Sequence, residues 1–447
     1  MRLLSRSRRG TWALAAAAWL VGYGIIWWDL PVRPRAEWRA GRPCNVVGLL
    51  ADNRTVVTLD DYDASLSAPR AARFWRDGVA AAPPSVPTAA SESARTAVIA
   101  PDGESVLVAV QRIHPNHTLS YEFRLVQPGD ISGKVLLSTP EQIGIAVTGI
   151  ALSADGRTLA FAYLANGAWM ADVWDCDRPR RLLRVPAGSP MALSPDGRWF
   201  AAAGELDPAS SREWTITLWD VHSGRRVASD VFPNIYITAR FVRDGVLLAG
   251  GGGTVVVRDA AADRELARRA VPDGIVVAPD ETGVLCATYA ADQSRRLGRW
   301  EWESGDCRYR DVLLSEPDEL LGWPWPSPDG RVIAFDAKRV RPAPDVVHRL
   351  RLDAAWVWMV GPGESVRLFG AADARLIGTI PGIQQVTFGR DGRSIATVTV
   401  EDRRVIQLWD VPPRKPLAWF ASAAGVWALP VAWLARRRTR KLASGVA

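Results

Sequence analysis

Between residues 44 and 416 one pattern of apolar and polar positions returns along the chain. A short apolar run leads to an Asp-Gly step, and a second run rich in Ala and β-branched residues follows. After a gap, a third run ends in Trp-Asp or a variant of it. The clearest copies centre on Asp155-Gly156 with Trp174-Asp175, on Asp196-Gly197 with Trp219-Asp220, and on Asp391-Gly392 with Trp409-Asp410. Weaker copies centre on Asp52-Asn53, Pro101-Asp102-Gly103, Asp244-Gly245 with Arg258-Asp259, Pro279-Asp280 with Trp300-Glu301, and Asp329-Gly330 with Val366 to Phe369. Glycine supplies the positive φ that a tight hairpin demands, and the flanking runs have strand length, so each copy predicts one four-stranded antiparallel sheet. The turn count gives eight sheets, or seven if the first copy is incomplete.

Sheets that are apolar on both faces cannot hide both alone, and stacking them radially in a closed ring buries them. At this point residues 44 to 416 resemble the WD-repeat β-propeller family. The carriers of the likeness are the Trp-Asp pairs at 174–175, 219–220 and 409–410, taken with the preceding Asp-Gly turns. The resemblance implies an all-β propeller of about eight blades, seven being the alternative, that acts as a non-enzymatic protein-interaction module. Asp155, Gly156, Trp174, Asp175, Asp196, Gly197, Trp219, Asp220, Asp329, Gly330, Asp391, Gly392, Trp409 and Asp410 are then structural repeat positions. No Gly-His dipeptide precedes a first strand, so the His-centred network of well-formed repeats should be missing and each Trp-Asp carboxylate should cap local backbone or meet solvent.

The ends have a different pattern. Thr11 to Trp28 and Leu417 to Ala435 are uncharged and apolar on all sides of a helix, long enough to span a bilayer. The expected organisation is a basic tail (1–10), a signal anchor (11–28), a linker (29–43), the propeller (44–416), a second transmembrane helix (417–435) and a basic tail (436–447). Nine basic residues flank the two tail sides and six the propeller sides, which by the positive-inside rule puts both termini in the cytoplasm and the propeller outside. The scarcity of Lys beside abundant Arg, Ala, Gly and Pro points to a GC-rich bacterial genome, hence the bacterial cytoplasmic membrane.

Charge changes the picture only by its placement. The chain carries 55 Lys plus Arg against 48 Asp plus Glu, but nine of the basic residues sit in the two tails, leaving 46 against 48 between them. The folded part therefore lacks the footprint of a phosphate-backbone binder, and no nucleic-acid partner is expected.

Candidates for chemistry are few. His114-Pro115-Asn116-His117 offers two imidazoles to a metal, but in a hairpin loop rather than on one helix face. Asp60, Asp61 and Asp63 lack the Gly and later Glu of a calcium loop and read as a solvated turn. Gly250 to Gly253 has no following helix or Lys and reads as a hairpin, not a phosphate loop. Cys44, Cys176, Cys286 and Cys307 show no zinc-ligand spacing. No catalytic, metal or cofactor site is expected. The alternatives to an interaction module are an exported propeller enzyme, of quinone-dependent dehydrogenase or lactonase type, and an extracytoplasmic sensor acting through a membrane partner.

Overall fold

In the computed structural model the residues described are 32–61, 70–77, 79–80, 92–115, 118–130, 133–139, 146–165, 167–205, 213–233, 237–243, 245–251, 254–270, 274–279, 283–289, 295–301, 307–310, 319–328, 330–339, 364–371, 375–399, 402–413 and 433. The chain divides into two units, Ala36–Pro412, which carries every strand found among the described residues, and Met1–Arg35 together with Pro413–Ala447. The proposed spans at 11–28 and 417–435 lie outside the described residues, apart from Trp433. Among the described residues no helix is long and apolar enough to cross a membrane.

Strand β1 is Ala36–Arg39. Blade 1 is β2 (Cys44–Leu49), β3 (Thr55–Asp60), β4 (Ala72–Arg76) and β5 (Val79–Ala80), and blade 2 is β6 (Glu92–Ile99), β7 (Val106–Ile113), β8 (Leu119–Val126) and β9 (Lys134–Ser138). Blade 3 is β10 (Ala146–Leu152), β11 (Thr158–Ala165), β12 (Ala168–Asp175) and β13 (Arg180–Val185). Blade 4 is β14 (Gly188–Leu193), β15 (Trp199–Glu205), β16 (Glu213–Asp220) and β17 (Arg226–Pro233). Blade 5 is β18 (Thr238–Arg243), β19 (Val246–Gly251), β20 (Thr254–Asp259) and β21 (Arg264–Ala270). Blade 6 is β22 (Gly274–Pro279), β23 (Gly283–Tyr289), β24 (Arg295–Glu301) and β25 (Cys307–Arg310). Blade 7 is β26 (Glu319–Pro326), β27 (Val332–Arg339), β28 (Glu364–Gly370) and β29 (Leu376–Pro381), and blade 8 contains β30 (Ile383–Phe388), β31 (Ser394–Thr399) and β32 (Val405–Asp410).

Pairing within each blade is antiparallel in sequence order, giving eight four-stranded sheets among the described residues. The innermost strands touch in the order β2, β6, β10, β14, β18, β22, β26, β30 and back to β2, so the ring is closed. Each innermost strand carries one register shift against its neighbour, as at Ala94/Thr96 and Val147/Gly149, and a bulge of this kind bends and twists a strand locally.

Blade 8 corrects the expected boundaries. Its fourth strand is β1, paired with β32 through Ala36↔Leu408 and Arg39↔Val405. Residues 36–39 therefore belong to the ring and not to a linker over 29–43, and the ring unit runs from Ala36 to Pro412 rather than from 44 to 416. The physical reason is the open edge: β32 ends the last blade with unpaired backbone groups, and the first strand of the chain covers them.

The apolar runs separate by alternation, as a strand with both faces buried requires. In β7, Leu107 and Ala109 pack with Phe123, Phe161 and Tyr163 in the core between blades 2 and 3, while Val106, Val108 and Val110 pack with Val57, Leu59 and Phe74 between blades 1 and 2. Phe123 and Phe161 lie with ring centroids 4.6 Å apart across that first seam. The same division continues through the cores between blades 3 and 4, and 4 and 5.

Candidate functional site: two unlike rims

Because the strands of a blade alternate in direction, one rim of the ring carries the connections from first to second and from third to fourth strand. The other carries those from second to third and from each blade to the next. The two rims are built differently.

On the first rim the turns are short and close on themselves. In blade 4 the Gly197 amide donates to the Ser194 carbonyl at 2.9 Å and the Ser194 amide to the Trp199 carbonyl at 2.9 Å. The Ser194 hydroxyl donates to Asp196 at 2.5 Å and accepts from the Trp199 amide at 2.8 Å. Gly197 has φ +70°, and a Cβ there would fall 2.5 Å from the Thr158 hydroxyl, so conformation and space both exclude a side chain. Blade 3 repeats the arrangement with Ser153, Asp155 and Gly156. Gly330 and Gly392 also have positive φ, as the Asp-Gly reading requires, while Asp329 lies outside the described residues.

Three blades reach the same closure with the hydroxyl moved. In blades 1 and 2 the turn opens on Leu50 or Ala100, and the residue that ends it, Thr55 or Ser105, donates its hydroxyl to Asp52 at 2.7 Å or to Asp102 at 2.5 Å. Blade 8 follows them, with Ser394 facing Asp391. One hydroxyl per turn suffices, at either end. Ser194→Ala is therefore expected to cost about 1–2 kcal/mol, because both Asp196 and the Trp199 amide lose their partner. Ser153→Ala should cost less, since Thr158 already stands where Thr55 does in blade 1. Chemical denaturation of the two variants checks this, and equal losses would refute the exchange.

The Trp-Asp pairs end the third strands on the same rim. Asp175 accepts from the amides of Asp177 and Arg178 at 3.1 Å each, and Asp220 from those of His222 and Ser223 at 3.0 and 2.9 Å. Asp259, ending a Trp-less variant, accepts from Ala261 and Ala262. These carboxylates are hairpin caps, as the absence of Gly-His implied. Trp219 stacks on Phe200 at 5.8 Å, and Trp174 packs against the core between blades 2 and 3. Trp409 donates its indole N–H to Thr397 at 3.0 Å, a bond repeated by Trp75 and Thr58 at 2.8 Å. The predicted repeat residues thus lie around the ring, one set per blade, and do not converge on a site.

Several of these carboxylates share an acid response. At Asp52, Glu92, Asp102, Asp155 and Asp220 burial is the largest single influence and opposes ionisation, but hydrogen bonds and nearby arginines together outweigh it, so each pKa is lowered. A carboxylate held below its unfolded value contributes stability above the unfolded pKa, about 4, and loses it as pH falls through the folded one. The melting temperature should be level from neutral pH to about pH 5 and fall below about pH 4. Asp102→Asn should flatten that fall, and an unchanged acid limb would argue against it.

The opposite rim carries connections of very unequal length. Residues 166–167 join β11 to β12, whereas 61–71, 81–91, 206–212 and 340–363 form other connections of this rim. The ends of the strands here hold paired charges. Asp60 is buried at 2 % exposure and holds Arg73 through two bonds of 2.9 and 3.1 Å. Asp61 pairs with Arg403, whose other guanidinium nitrogen donates to Asn45 at 2.7 Å. The expected solvated turn is thereby corrected: Asp60 and Asp61 serve two ion pairs, and Asp63 lies outside the described residues. Glu92, Arg112, Glu122 and Arg124 form a four-membered network, with Arg124 bonded to both acids at 2.8 and 2.6 Å. Asp172, fully buried, accepts from Arg184 at 2.7 and 2.8 Å and from the Tyr163 hydroxyl at 3.3 Å.

Exposed apolar side chains stand on this rim in three consecutive blades: Ile113, Trp169 and Val231. The Trp169 ring lies over Gly188, the first residue of the next blade's innermost strand, where a Cβ would meet the indole at 3.2 Å. On the turn rim the corresponding residues, Val79, Val135 and Leu376, begin the outermost strands.

The remaining candidates resolve simply. His114 bonds the Ser120 hydroxyl at 2.8 Å, and His117 lies outside the described residues. Gly250 and Gly251 pair with Val255 and Thr254 in a hairpin. Burial pushes the Cys44 and Cys176 thiols up to about 12, and both are free. No group of three or more His, Cys, Asp or Glu residues able to hold a metal occurs among the described residues.

No protein-family model matches the sequence, and no curated protein does. The fold is matched by solved WD40-type β-propellers. Sqt1 from Chaetomium thermophilum superposes with a TM-score of 0.54 at 14 % identity, over 85 % of this chain and 99 % of that one. The computationally designed protein Ika8 gives 0.54 at 12 % identity, over 85 % and 99 %. A eukaryotic initiation factor gives 0.50 at 12 % identity, over 85 % and 88 %. At such identities the likeness is one of fold. It shows the fold, a closed β-propeller, and by itself assigns no role.

Proposed function

We propose that the chain is a membrane-anchored, non-enzymatic interaction platform whose binding surface is the rim of long connections, held outside the cytoplasm and turned away from the bilayer. The observation that carries this is the asymmetry of the rims. Connections free to vary in length and sequence are where rigid scaffolds place recognition, and here they share a rim with Ile113, Trp169 and Val231 and a set of ordered arginines. The other rim spends its polar groups on its own turns.

The ring's ends support the orientation. β1 runs antiparallel to β32, so the chain enters at Ala36 and leaves at Asp410 on the same rim, that of the short turns, from adjacent strands. An extended chain spans at most about 3.5 Å per residue, so residues 29–35 and 411–416 reach roughly 20–25 Å from apolar segments at 11–28 and 417–435. Entry and exit from adjacent strands on one rim agree with both tails lying on one side of the membrane.

Two measurements test the reading. Reporter fusions at residues 5 and 445 should both report the cytoplasm; opposite sides would eliminate the second span. Full-length protein in detergent should retain a partner that Trp169→Ser releases and Val135→Ser, on the turn rim, does not. Equal retention by both variants would move the interface elsewhere.

A further inference from the structure

We propose that Arg70 and Arg95 form an oxyanion-binding site at the seam of blades 1 and 2, on the long-connection rim, where a carboxylate or phosphate bridges the two guanidinium groups. The site deepens the platform reading by giving the partner surface a chemistry, an acidic side chain, but the pair itself stands independently of that reading.

Arg70 precedes β4, and the inner strand of the next blade fixes it. Its amide donates to the Ser93 hydroxyl at 3.2 Å, its carbonyl accepts from the Ala94 amide at 2.9 Å, and its Nη1 meets the Arg95 carbonyl at 3.5 Å. Arg95 occupies the bulge of β6, the residue skipped between Ala94 and Thr96 in the pairing with β7. Each guanidinium is held by its Nε alone on a short bond: Arg70 to the Asp60 carbonyl at 2.8 Å, Arg95 to the Gln111 side-chain oxygen at 2.5 Å. Gln111, 1 % exposed, is oriented in turn by its amide's bond to the Tyr121 hydroxyl at 3.1 Å. Anchoring at Nε leaves both terminal nitrogens of Arg95, and Nη2 of Arg70 beside its long Nη1 contact, as donors for an oxyanion.

The nearby carboxylates are engaged elsewhere. Asp60 holds Arg73, Asp61 holds Arg403, and Glu92 and Glu122 hold Arg112 and Arg124. No carboxylate forms an ion pair with Arg70 or Arg95 among the described residues. Two like charges are thus held together by backbone and amide contacts. Burial, followed by the charge of Arg95, lowers the Arg70 pKa against the pull of Asp61 and Asp60, which an arriving anion would relieve.

The experiment uses full-length protein in detergent, with inorganic phosphate and a soluble peptide of four glutamates as separate probes in calorimetry and thermal melting. Wild type should bind at least one probe saturably, with a rise in melting temperature that follows anion concentration. Arg95→Gln and Arg70→Gln should each weaken binding at least about tenfold, the loss expected for a charged donor pair. Arg157→Gln, on the turn rim, should not. Without anion, Arg95→Gln should melt near wild type, because the repulsion it removes offsets the bond from Nε to Gln111 that it weakens, and this keeps loss of binding apart from loss of fold. Arg95→Lys, which keeps charge without the planar fork, covers the case in which Arg95→Gln unfolds and should bind at an intermediate level. Phosphate binding without peptide binding would support the site with a small anion as its occupant while counting against an acidic partner. Binding of neither probe, or binding untouched in both glutamine variants, would overturn the proposal.

Discussion

Asp172→Ala should be among the more damaging single changes in the ring, lowering stability by about 1–3 kcal/mol. Asp172 is fully buried in β12 and is the one acceptor that gathers Arg184, Arg181 and the Tyr163 hydroxyl. Arg184 is 39 % exposed and can turn to water, so the loss falls on the buried Tyr163 hydroxyl, left without its acceptor, and on the two charge-assisted bonds that no longer fix the guanidinium. Arg184 also lies over the Tyr163 ring at 5.9 Å, so its displacement would disturb the aromatic cluster shared with Phe161 and Phe123. Burial, and after it the Asp172 carboxylate, push the Tyr163 hydroxyl up to about 12; burial persists in the variant and the ordinary phenol value is already about 10, so no compensating phenolate forms near neutrality. Asp172→Asn keeps an acceptor oxygen for Arg184 and should lose less. Equilibrium denaturation of both variants decides the matter, and a loss below about 1 kcal/mol for alanine would mean that the Tyr163 hydroxyl finds another partner.

What the sequence disclosed and what it hid divide by the range of the interactions. The Asp-Gly turns were legible because one hairpin contains everything that makes them: Gly197 needs its positive φ, and Asp196 and Ser194 find partners within six residues. The Trp-Asp ends were legible for the same reason, since Asp175 and Asp220 cap amides two and three residues on. The charge pairs were not. Asp60 stands in a run of acidic residues that looks solvated, and only folding brings Arg73 beside it across the turn from β3 to β4. Likewise Glu92 meets Arg124 from strands two apart, with no periodicity to announce it. Part of the tertiary pattern does have a sequence signal: a buried tryptophan usually takes an acceptor for its N–H, and Thr58 and Thr397 on the second strands face Trp75 and Trp409, although the buried indole of Trp38 has no such partner among the described residues. The Arg70 and Arg95 pair was the least visible, because it depends on a seam between blades and on a bulge.

Trp38→Ala is expected to open the ring where it closes. Among the described strands only β1 joins a blade from the far end of the sequence, and its four residues, Ala36–Arg39, alternate so that Trp38 alone is a large buried side chain at 7 % exposure. That indole packs in the core between blades 8 and 1 with Val46, Leu49, Trp75, Val398, Ile406 and Leu408. Loss of a buried tryptophan costs about 3–5 kcal/mol through lost transfer energy and the cavity left behind. The site matters more than the sum, because the remaining ties of β1 lie at the surface: the Arg39 bond to Asp402 and the Gln407 bond to Glu37 at 2.8 Å are both exposed. Exposed ion pairs and hydrogen bonds contribute about 0–1 kcal/mol and cannot hold a four-residue strand once its one buried anchor is gone. With β1 released, the backbone edge of β32 opens, and Cys44, buried at the same seam, becomes accessible. The expected result is a lowered denaturation midpoint together with faster alkylation of Cys44 than in wild type, measured by mass spectrometry of the labelled peptide. A comparison variant, Arg39→Ala, removes only a surface pair and should leave both readings near wild type. If Trp38→Ala destabilises the chain but Cys44 stays protected until global unfolding, the strand is held by its backbone ladder, and closure of the ring does not depend on the indole.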